Sequence, residues 1–376
     1  MCSLSDLAIS YPIGAPDGAC LGLPLRLGAQ SGFVEEAISE RLCALAARGG
    51  ALTRRLCGAF PFERDRPGWL YALRSETCTD ALPPARIEAD ACPLALDRLP
   101  SQERYAEAVA AVAAQVGDPE HPLRKAVLAR ALDLRTDRAL DPFAVAARLG
   151  ADPHVTAYCL PLPGTRSDAR WLVGATPELL LRKTGAAIRS HPLAGSARRR
   201  ADARDDARAK AALLGSEKDN IEHRVVVDYI HDILAPYCAE LSVPQAPQLD
   251  RTASMWHLGT RIDGVLRDPE TPCLELLAAL HPTPAVAGAP LTEALQAIAG
   301  AEPFARDFYA GTLGWVDCSN NGEWHVTLRC AMLEGCEARL FAGAGIVAAS
   351  DPLEEVAETR AKFIAMRRAL GIAEGL

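Results

Sequence analysis

The irregular order of predicted strands and helices limits the fold of this chain more than any other feature. Strand-like apolar runs and amphipathic helices follow one another without the regular strand–helix–strand repeat that builds a parallel sheet. Residues 125–134 form a nearly continuous apolar run, which is typical of a buried strand. Asp351 and Pro352 open a final amphipathic helix that is expected to run to about Leu370. The pattern predicts an α+β or layered α/β fold.

Capping residues and apolar spacing predict the remaining elements. Ser101 is a typical N-cap, and apolar residues follow it at helical spacing as far as Val116. Residues 202–235 are expected to form two helices with a break near Gly215 and Ser216. Further helices are expected after Asp141 and at 272–280 and 291–299, and strands at 32–34, 69–73, 155–160, 171–173, 179–181, 187–190, 313–317, 324–333 and 339–342.

Net charge and cysteine pattern limit the partners and the compartment. The chain of 376 residues has a formal net charge of -8, which argues against a nucleic-acid or anionic-membrane partner. Local charge can still favour an anionic substrate. The 12 cysteines are scattered without a CxxC pair, as expected for free thiols in a reducing cytosol. Residues 1–14 lack a signal-peptide pattern and the apolar run 108–114 is too short to span a bilayer, so a cytoplasmic location is expected.

Two predicted helices each carry a pair of acidic residues three positions apart. Asp219 and Glu222 lie on the first helix, and Glu355 and Glu358 lie on the second. This spacing places both carboxylates of a pair on one helix face. Two such faces turned toward each other can hold a hard cation such as Mg²⁺. Two solvated acidic faces are the alternative, and spacing alone favours that alternative.

Lys125 and Glu178 are candidate acid–base residues. Lys125 opens an otherwise apolar strand, where a lysine at a strand edge with its ammonium in water is the usual explanation. A partly buried amine with a lowered pKa, able to act as a base, is the functional alternative. Glu178 lies at a turn that feeds a strand, a place that often presents a side chain to a site. Surface exposure of Glu178 is the alternative there.

Four further positions are candidates for a ligand site. His257 precedes a predicted strand, although a lone histidine is more often a satisfied core residue. Arg329 interrupts an apolar strand and needs an anionic partner, either a protein or a ligand carboxylate. Residues 341–346 form a predicted turn of small residues, whose glycines permit close backbone approach to a carboxylate. Lys362 follows Glu358 by four positions, so a helix salt bridge is its simplest explanation.

Nine segments of the chain match one enzyme family in that family's order. They are KAVLAR (125–130), GATPELLL (174–181), HPLAGSARR (191–199), EKDNIEHRVVVDYI (217–230), MWHL (255–258), HPTPAVAGAP (281–290), RDFYAGTLGWVD (306–317), VTLRCA (326–331) and FAGAGIVAASDPLEEVAETRAKF (341–363). Together they resemble the chorismate-utilising enzymes, which include isochorismate, salicylate, anthranilate and aminodeoxychorismate synthases. Each segment alone is weak, but nine in order make a false match improbable.

The resemblance implies a magnesium site and a chorismate site. Glu222 and Glu358 correspond to the Mg²⁺ ligands, with Asp219 and Glu355 as carboxylates behind them. The ion is expected to hold the ring carboxylate of chorismate.

The resemblance also assigns the groups that surround the substrate. The Arg329 side chain and the backbone N–H of Gly343, assisted by Tyr309, are expected to clamp the enolpyruvyl carboxylate. His257 and Lys362 are expected to line the site.

The catalytic pair and the residues near the ring follow from the same resemblance. Lys125 is expected to be the base and Glu178 the acid. The residues expected near the substrate ring are Ala194, Gly195, Ser196, Ala285 and Val286.

Two positions narrow the choice within the family. Lys125 matches members that use water as nucleophile, whereas anthranilate-type members have glutamine there. Ala194 stands where aminodeoxychorismate synthases carry a nucleophilic lysine. Together with HPTPAVAG and PLAGSARR, this resembles the isochorismate synthases of siderophore pathways. We therefore expect reversible, Mg²⁺-dependent conversion of chorismate to isochorismate.

Several alternatives stay open at this point. Within the family they are a salicylate synthase with additional pyruvate-lyase activity and an isochorismate synthase of menaquinone biosynthesis. Outside it they are an inactive relative that only binds, and an unrelated acidic metal-binding protein. The inactive relative is disfavoured because every expected polar residue is present, and the unrelated protein leaves the ordered segments unexplained.

The resemblance implies one large chorismate-binding domain over residues 1–376. Its expected fold is α/β (α+β), with layered, mainly antiparallel sheets flanked by helices and the active site in the cleft between them. Residues 1–100 form a weakly matched peripheral part, and residues 101–376 carry the motifs. A monomer that binds chorismate, with no nucleic-acid or membrane partner, is expected.

Overall fold

Three antiparallel sheets and seven helices make up the described part of the chain. The computed structural model describes residues 23–25, 55–66, 68–72, 91–162 and 170–372. The strands are β1 Leu23–Leu25, β2 Arg55–Phe60, β3 Gly68–Ala72, β4 Pro93–Leu99, β5 Lys125–Thr136, β6 Thr156–Leu162, β7 Arg170–Thr176, β8 Leu179–Thr184, β9 Ala187–His191, β10 Leu193–Arg198, β11 Cys238–Ser242, β12 Gln248–Arg251, β13 Met255–Gly259, β14 Ile262–Leu266, β15 Gly288–Ala289, β16 Thr312–Asp317, β17 Gly322–Val326, β18 Cys330–Glu334 and β19 Glu337–Ile346.

The helices lie between these strands without a regular repeat. They are α1 Gln102–Gly117, α2 Pro142–Leu149, α3 Ala203–Gly215, α4 Glu217–Leu234, α5 Cys273–Leu280, α6 Leu291–Ala301 and α7 Pro352–Ala369. The predicted helices are confirmed, including the break at Ser216, which caps α4 by accepting the backbone N–H of Asp219. Ser101 caps α1 in the same way, by accepting the N–H of Arg104. Local capping chemistry therefore determined these helix starts.

The sheets confirm the predicted layered, mainly antiparallel fold. A nine-stranded sheet has the order β1-β3-β2-β16-β17-β8-β9-β14-β11. A second sheet has the order β15-β5-β19-β18-β7-β6, with β4 also paired to β5. A small third sheet has the order β10-β13-β12. The division into a peripheral part and a motif-bearing part stays a prediction.

Two sheets bring candidate residues to one place through their strand register. In the second sheet, Gly343 and Gly345 of β19 pair with Ala129 and Val127 of β5, the strand that begins at Lys125. In the third sheet, Ser196 of β10 pairs with His257 of β13. A bulge lies between Ala194 and Ser196, where Gly195 has φ +78°. A positive φ favours glycine, because other residues are strained there.

The structure corrects three local predictions. Residues 324–333 form β17 and β18 rather than one strand, because the chain turns between them at Arg329, whose φ is +45°. His257 lies within a strand and not ahead of one. The small residues 341–346 lie in β19 and do not form a turn.

Other expected strands overlap the observed ones within a few residues. The expected strand 69–73 corresponds to β3, and its last residue lies outside the described part of the chain, as does the whole expected strand 32–34. The sequence missed several short strands, among them β10 to β12, which carry mixed polar and apolar residues.

A buried arginine, Arg306, joins three segments of the fold. The Arg306 guanidinium, 1% exposed, donates to the carboxylate of Glu302 and to the backbone carbonyls of Val127 and Val286. Glu302 in turn accepts the backbone N–H of Ala129 at 2.8 Å. Since a buried ion needs nearly all of its hydrogen bonds satisfied, this network fixes β5 against the loop that carries Val286.

Candidate active site

One cleft of about 710 Å³ collects most of the predicted site residues. All ten residues expected to bind substrate line it, together with Glu178, Glu222 and Glu358. The remaining lining residues are Val127, Pro177, Leu193, Leu328, Phe341, Ala342 and Gly345. Lys125, Asp219 and Glu355 do not line the cleft.

Lys125 is fully buried behind the cleft wall. Its ammonium lies 3.1 Å from Oε1 of Glu222 on α4, within ion-pair distance. A strand-edge lysine with its head in water is therefore excluded, since the side chain is 0% exposed. A Cβ on Gly345 would lie 2.1 Å from that Glu222 oxygen and 3.1 Å from Cε of Lys125. Only glycine at position 345 leaves room for this ion pair.

Glu178 is a buried carboxyl with a strongly raised pKa. It lies between β7 and β8 and is 2% exposed, so the surface alternative is excluded. Burial raises the pKa of Glu178 to about 8 from its ordinary 4.5, although the backbone N–H of Leu193 and the positive charge of Lys125 oppose the shift. At neutral pH the carboxyl therefore keeps its proton and can donate it.

Half-buried Arg329 and buried His257 form a pair at another part of the wall. Nη2 of Arg329 lies 2.6 Å from Nε2 of His257. Burial, together with the charges of Arg329 and Lys362, holds the pKa of His257 well below its usual range. Because a guanidinium has only donors, the neutral imidazole accepts from Arg329. Burial lowers the pKa of Arg329 to about 10, which leaves it cationic at neutral pH.

Tyr309 and Gly343 lie in contact at the cleft wall. The Tyr309 ring stacks on Phe341 with ring centres 5.0 Å apart, which holds it in one orientation. A Cβ on Gly343 would lie 2.8 Å from the Tyr309 hydroxyl. The carbonyl of Gly343 accepts a hydrogen bond from Nζ of Lys362 at 2.8 Å.

Glu358 and its neighbours form a charged group on α7. Oε1 of Glu358 lies 2.7 Å from Nζ of Lys362, as the sequence spacing predicted, and accepts from the Ser196 hydroxyl at 3.0 Å. Burial would raise the pKa of Glu358, but Lys362, Lys218 and the hydroxyl outweigh it, so the pKa is lowered. The carboxylate stays ionised, and a quarter of its side chain remains exposed to the cleft.

The acidic pairs are not two solvated faces. Glu355 is 1% exposed, and its Oε1 pairs with Nζ of Lys218 at 2.5 Å, which joins α7 to α4. Burial and the nearby Glu358 raise the pKa of Glu355 to about 7. Asp219 accepts a hydrogen bond from the Ser216 hydroxyl, and burial raises its pKa as well.

No three-residue metal centre is preformed in the described part of the chain. No group of three or more His, Cys, Asp or Glu side chains there is arranged to hold a metal ion. Among the same residues, no helix is long and apolar enough to cross a membrane.

Phe341 and Gly345 lie in the candidate segment 341–346, but the sequence did not identify either of them as an individual site residue. The signal for Gly345 was present, because in a strand it shares a face with Gly343. Because 341–346 was interpreted as a turn, the alternation of side chains along a strand was not applied to these residues.

The chain belongs to the family of chorismate binding enzymes, whose model matches residues 75–371. It is 40% identical over 362 residues to a putative isochorismate synthase MenF of Mycobacterium tuberculosis, covering 92% of this chain and 95% of that protein. It is 40% identical over 329 residues to isochorismate synthase EntC of Escherichia coli, covering 84% of this chain and 81% of that protein.

The fold also matches solved structures of this family. A crystal structure of a putative 2,3-dihydroxybenzoate-specific isochorismate synthase, DhbC of Bacillus anthracis, has a TM-score of 0.82 at 37% identity, covering 90% of this chain and 89% of that one. The menaquinone-specific isochorismate synthase MenF of Escherichia coli has a TM-score of 0.73 at 25% identity, covering 89% and 82%.

The raised pKa of Glu178 predicts a pH-dependent loss of stability. The pKa of Glu178 is 4.5 in its ordinary state and about 8 in the folded protein. Between these two pH values the folded protein holds a proton that the unfolded chain has released. The free energy of unfolding should therefore fall with rising pH in this window, relative to Glu178→Gln, which cannot titrate there. Urea unfolding of both proteins across this range measures the difference. A difference that stays constant with pH would show that Glu178 titrates normally.

Proposed function

We propose that the chain is an isochorismate synthase, which interconverts chorismate and isochorismate. The observation that carries this proposal is one cleft lined by the buried carboxyl of Glu178, with the buried amine of Lys125 behind the same wall, where its charge acts on the pKa of Glu178. Water addition at one ring carbon and hydroxyl loss at another need such a pair of groups. Lys125 and Ala194 are also the residues that favour water as nucleophile within this family.

The proposed reaction moves one water molecule in and one out. With Glu222 engaged as a metal ligand, Lys125 would lose its ion-pair partner and give up its proton to solvent, and the neutral amine then takes a proton from water as that water bonds to ring carbon C2. The ring double bonds shift, and the C4 hydroxyl leaves as water with the proton of Glu178. In the reverse direction the two residues exchange roles. Each acid–base partner contributes roughly 10²–10⁴-fold in rate.

The cleft offers a separate set of groups for the enolpyruvyl carboxylate. Arg329 is a cation whose bond to His257 fixes one end of the guanidinium. We propose that its remaining donors, the N–H of Gly343 and the Tyr309 hydroxyl bind that carboxylate. A guanidinium can bind a carboxylate through two parallel hydrogen bonds, which orients as well as attracts it.

We propose Mg²⁺ as the cofactor, held by Glu222 and Glu358. These two carboxylates line the same cleft from α4 and α7, and Mg²⁺ is commonly held by one or two carboxylates with substrate oxygens and water completing the shell. The donor set therefore fits the ion. When bound, Mg²⁺ would neutralise and orient the ring carboxylate. Asp219 and Glu355 would lie behind these two ligands, and their hydrogen bonds would hold the two helices in place.

The pathway is a narrower proposal. The similarity to a 2,3-dihydroxybenzoate-specific isochorismate synthase, together with PLAGSARR and HPTPAVAG, supports a role in siderophore biosynthesis through 2,3-dihydroxybenzoate or salicylate. A role in menaquinone biosynthesis is supported by the similarity to proteins called MenF, and a salicylate synthase is the third candidate. We propose a cytoplasmic monomer in each case.

Product analysis tests the proposed function. Purified protein with chorismate and Mg²⁺ should give a mixture of chorismate and isochorismate, and the same mixture should form from isochorismate, since the two isomers are close in free energy. Chromatography identifies both, while a lactate dehydrogenase assay follows pyruvate. Pyruvate and salicylate in equal amounts would identify a salicylate synthase instead, and unchanged chorismate would refute the proposal.

Removal of either carboxylate that is proposed to bind Mg²⁺ should abolish turnover. Glu222→Gln and Glu358→Gln each keep the size of the side chain but leave a single carboxylate, which holds Mg²⁺ poorly. Both should lose Mg²⁺ binding in isothermal titration as well as activity. Glu354→Gln, an exposed carboxylate on the same helix as Glu358, is the control and should keep both. Full activity of either variant, or of wild type in EDTA, contradicts the magnesium role.

A further inference from the structure

A second, larger groove adjoins the cleft and is lined with arginines. It has a volume of about 2020 Å³. Seven arginines line it, contributed by Arg198–Arg200, Arg148, Arg251, Arg329 and Arg368, whereas Asp152 is the one acidic lining residue. The groove is rich in positive charge although the whole chain has a net charge of -8. The groove is therefore a local positive region on an acidic protein.

The groove and the cleft share a wall. Arg329 lines both of them. The third sheet also runs from one to the other, because Ser196 of β10 lines the cleft and Arg198 at the end of that strand lines the groove. Helix α7 is divided in the same way, with Lys362 on the cleft and Arg368 on the groove. An anion in the groove is therefore next to the cleft.

Part of this charge is not neutralised by ion pairs among the described residues, although Arg199 pairs with Asp206 at 3.6 Å. Arg198, Arg200 and Arg251 are exposed, and none of them forms an ion pair with a carboxylate of the described residues. Nε of Arg251 donates to the His154 ring at 3.1 Å. The Asp152 carboxylate already accepts the backbone N–H groups of His154 and Ala253. The charges of Arg198, Arg200 and Arg251 therefore stay available to an anion in the groove.

We propose that the groove is an electrostatic entrance that draws the dianionic substrate toward the cleft. This proposal rests on the proposed function, because chorismate and isochorismate each carry two carboxylates. A small dianion can pass from the groove arginines to Arg329, whereas a long polyanion would also meet the acidic remainder of the surface. Charge of one sign in a concave surface concentrates the opposite ion and raises its association rate by about 10–10³-fold.

The test compares two triple variants with equal changes of charge. The groove variant combines Arg198→Gln, Arg200→Gln and Arg251→Gln. The control combines Arg104→Gln, Arg224→Gln and Arg267→Gln, three exposed arginines that line neither the groove nor the cleft. Stopped-flow tryptophan fluorescence measures the association rate constant of chorismate at low and high ionic strength.

The groove variant should bind chorismate about threefold to tenfold more slowly than wild type at low salt. At high salt the two rates should converge, because screening removes the long-range attraction. The control should stay close to wild type at every salt concentration. A deficit that persists at high salt would indicate structural damage and overturn the proposal. Equal rates for groove and control variants would overturn the proposal and leave the isochorismate synthase function intact. Failure of wild type to bind chorismate would refute both.

Discussion

The buried ion pair of Lys125 and Glu222 is the interaction on which the candidate site depends. It joins the first residue of β5 to helix α4, at a position where Gly345 removes the side chain that would separate them. A buried pair of this kind contributes little net stability, since desolvation offsets most of the attraction. Its effect is positional, because losing one partner would leave the other charge buried and uncompensated.

The same balance between burial and charge separates the roles of the other ionisable groups. Glu178 is buried with weak compensation, so it holds a proton. Glu358 is paired with Lys362 and hydrogen-bonded to Ser196, so it is ionised. His257 is neutral because burial, and after it the adjacent charge of Arg329, lowers its pKa. One cleft thus contains a proton donor, an anion and a fixed cation at the same pH.

The sequence predicted the helices well because their signals are local. Ser101, Ser216 and Asp351 each cap the helix that follows them, and a capping residue acts within three positions of itself. The long strand β5 was equally clear from its apolar run. The structure of 322–334 was not predictable in this way, because Trp324 and Met332 look like parts of one strand and the turn at Arg329 has no glycine or proline to mark it.

The resemblance to a family identified the residues that line the cleft. Local sequence patterns, in contrast, did not decide whether Lys125 and Glu178 are buried. No local pattern shows that Lys125 is covered, since the groups next to it, Glu222, Ala289 and Gly345, are all more than ninety residues away in the sequence. The burial of Glu178 likewise depends on the packing of distant strands. The arginine groove was also missed, because its members come from five separate segments of the chain and only the run 198–200 is visible as a cluster.

The central claim is that burial keeps Glu178 protonated so that it can act as the acid, and the pH dependence of kcat/KM for chorismate tests it most directly. This ratio reports the ionisation of the free enzyme. In wild type it should fall as pH rises through about 8, where Glu178 loses its proton. Glu178→Gln should be slower by roughly 10²–10⁴-fold and should lack this decline. A near-normal rate in Glu178→Gln, with the same decline near pH 8 as in wild type, would contradict the account.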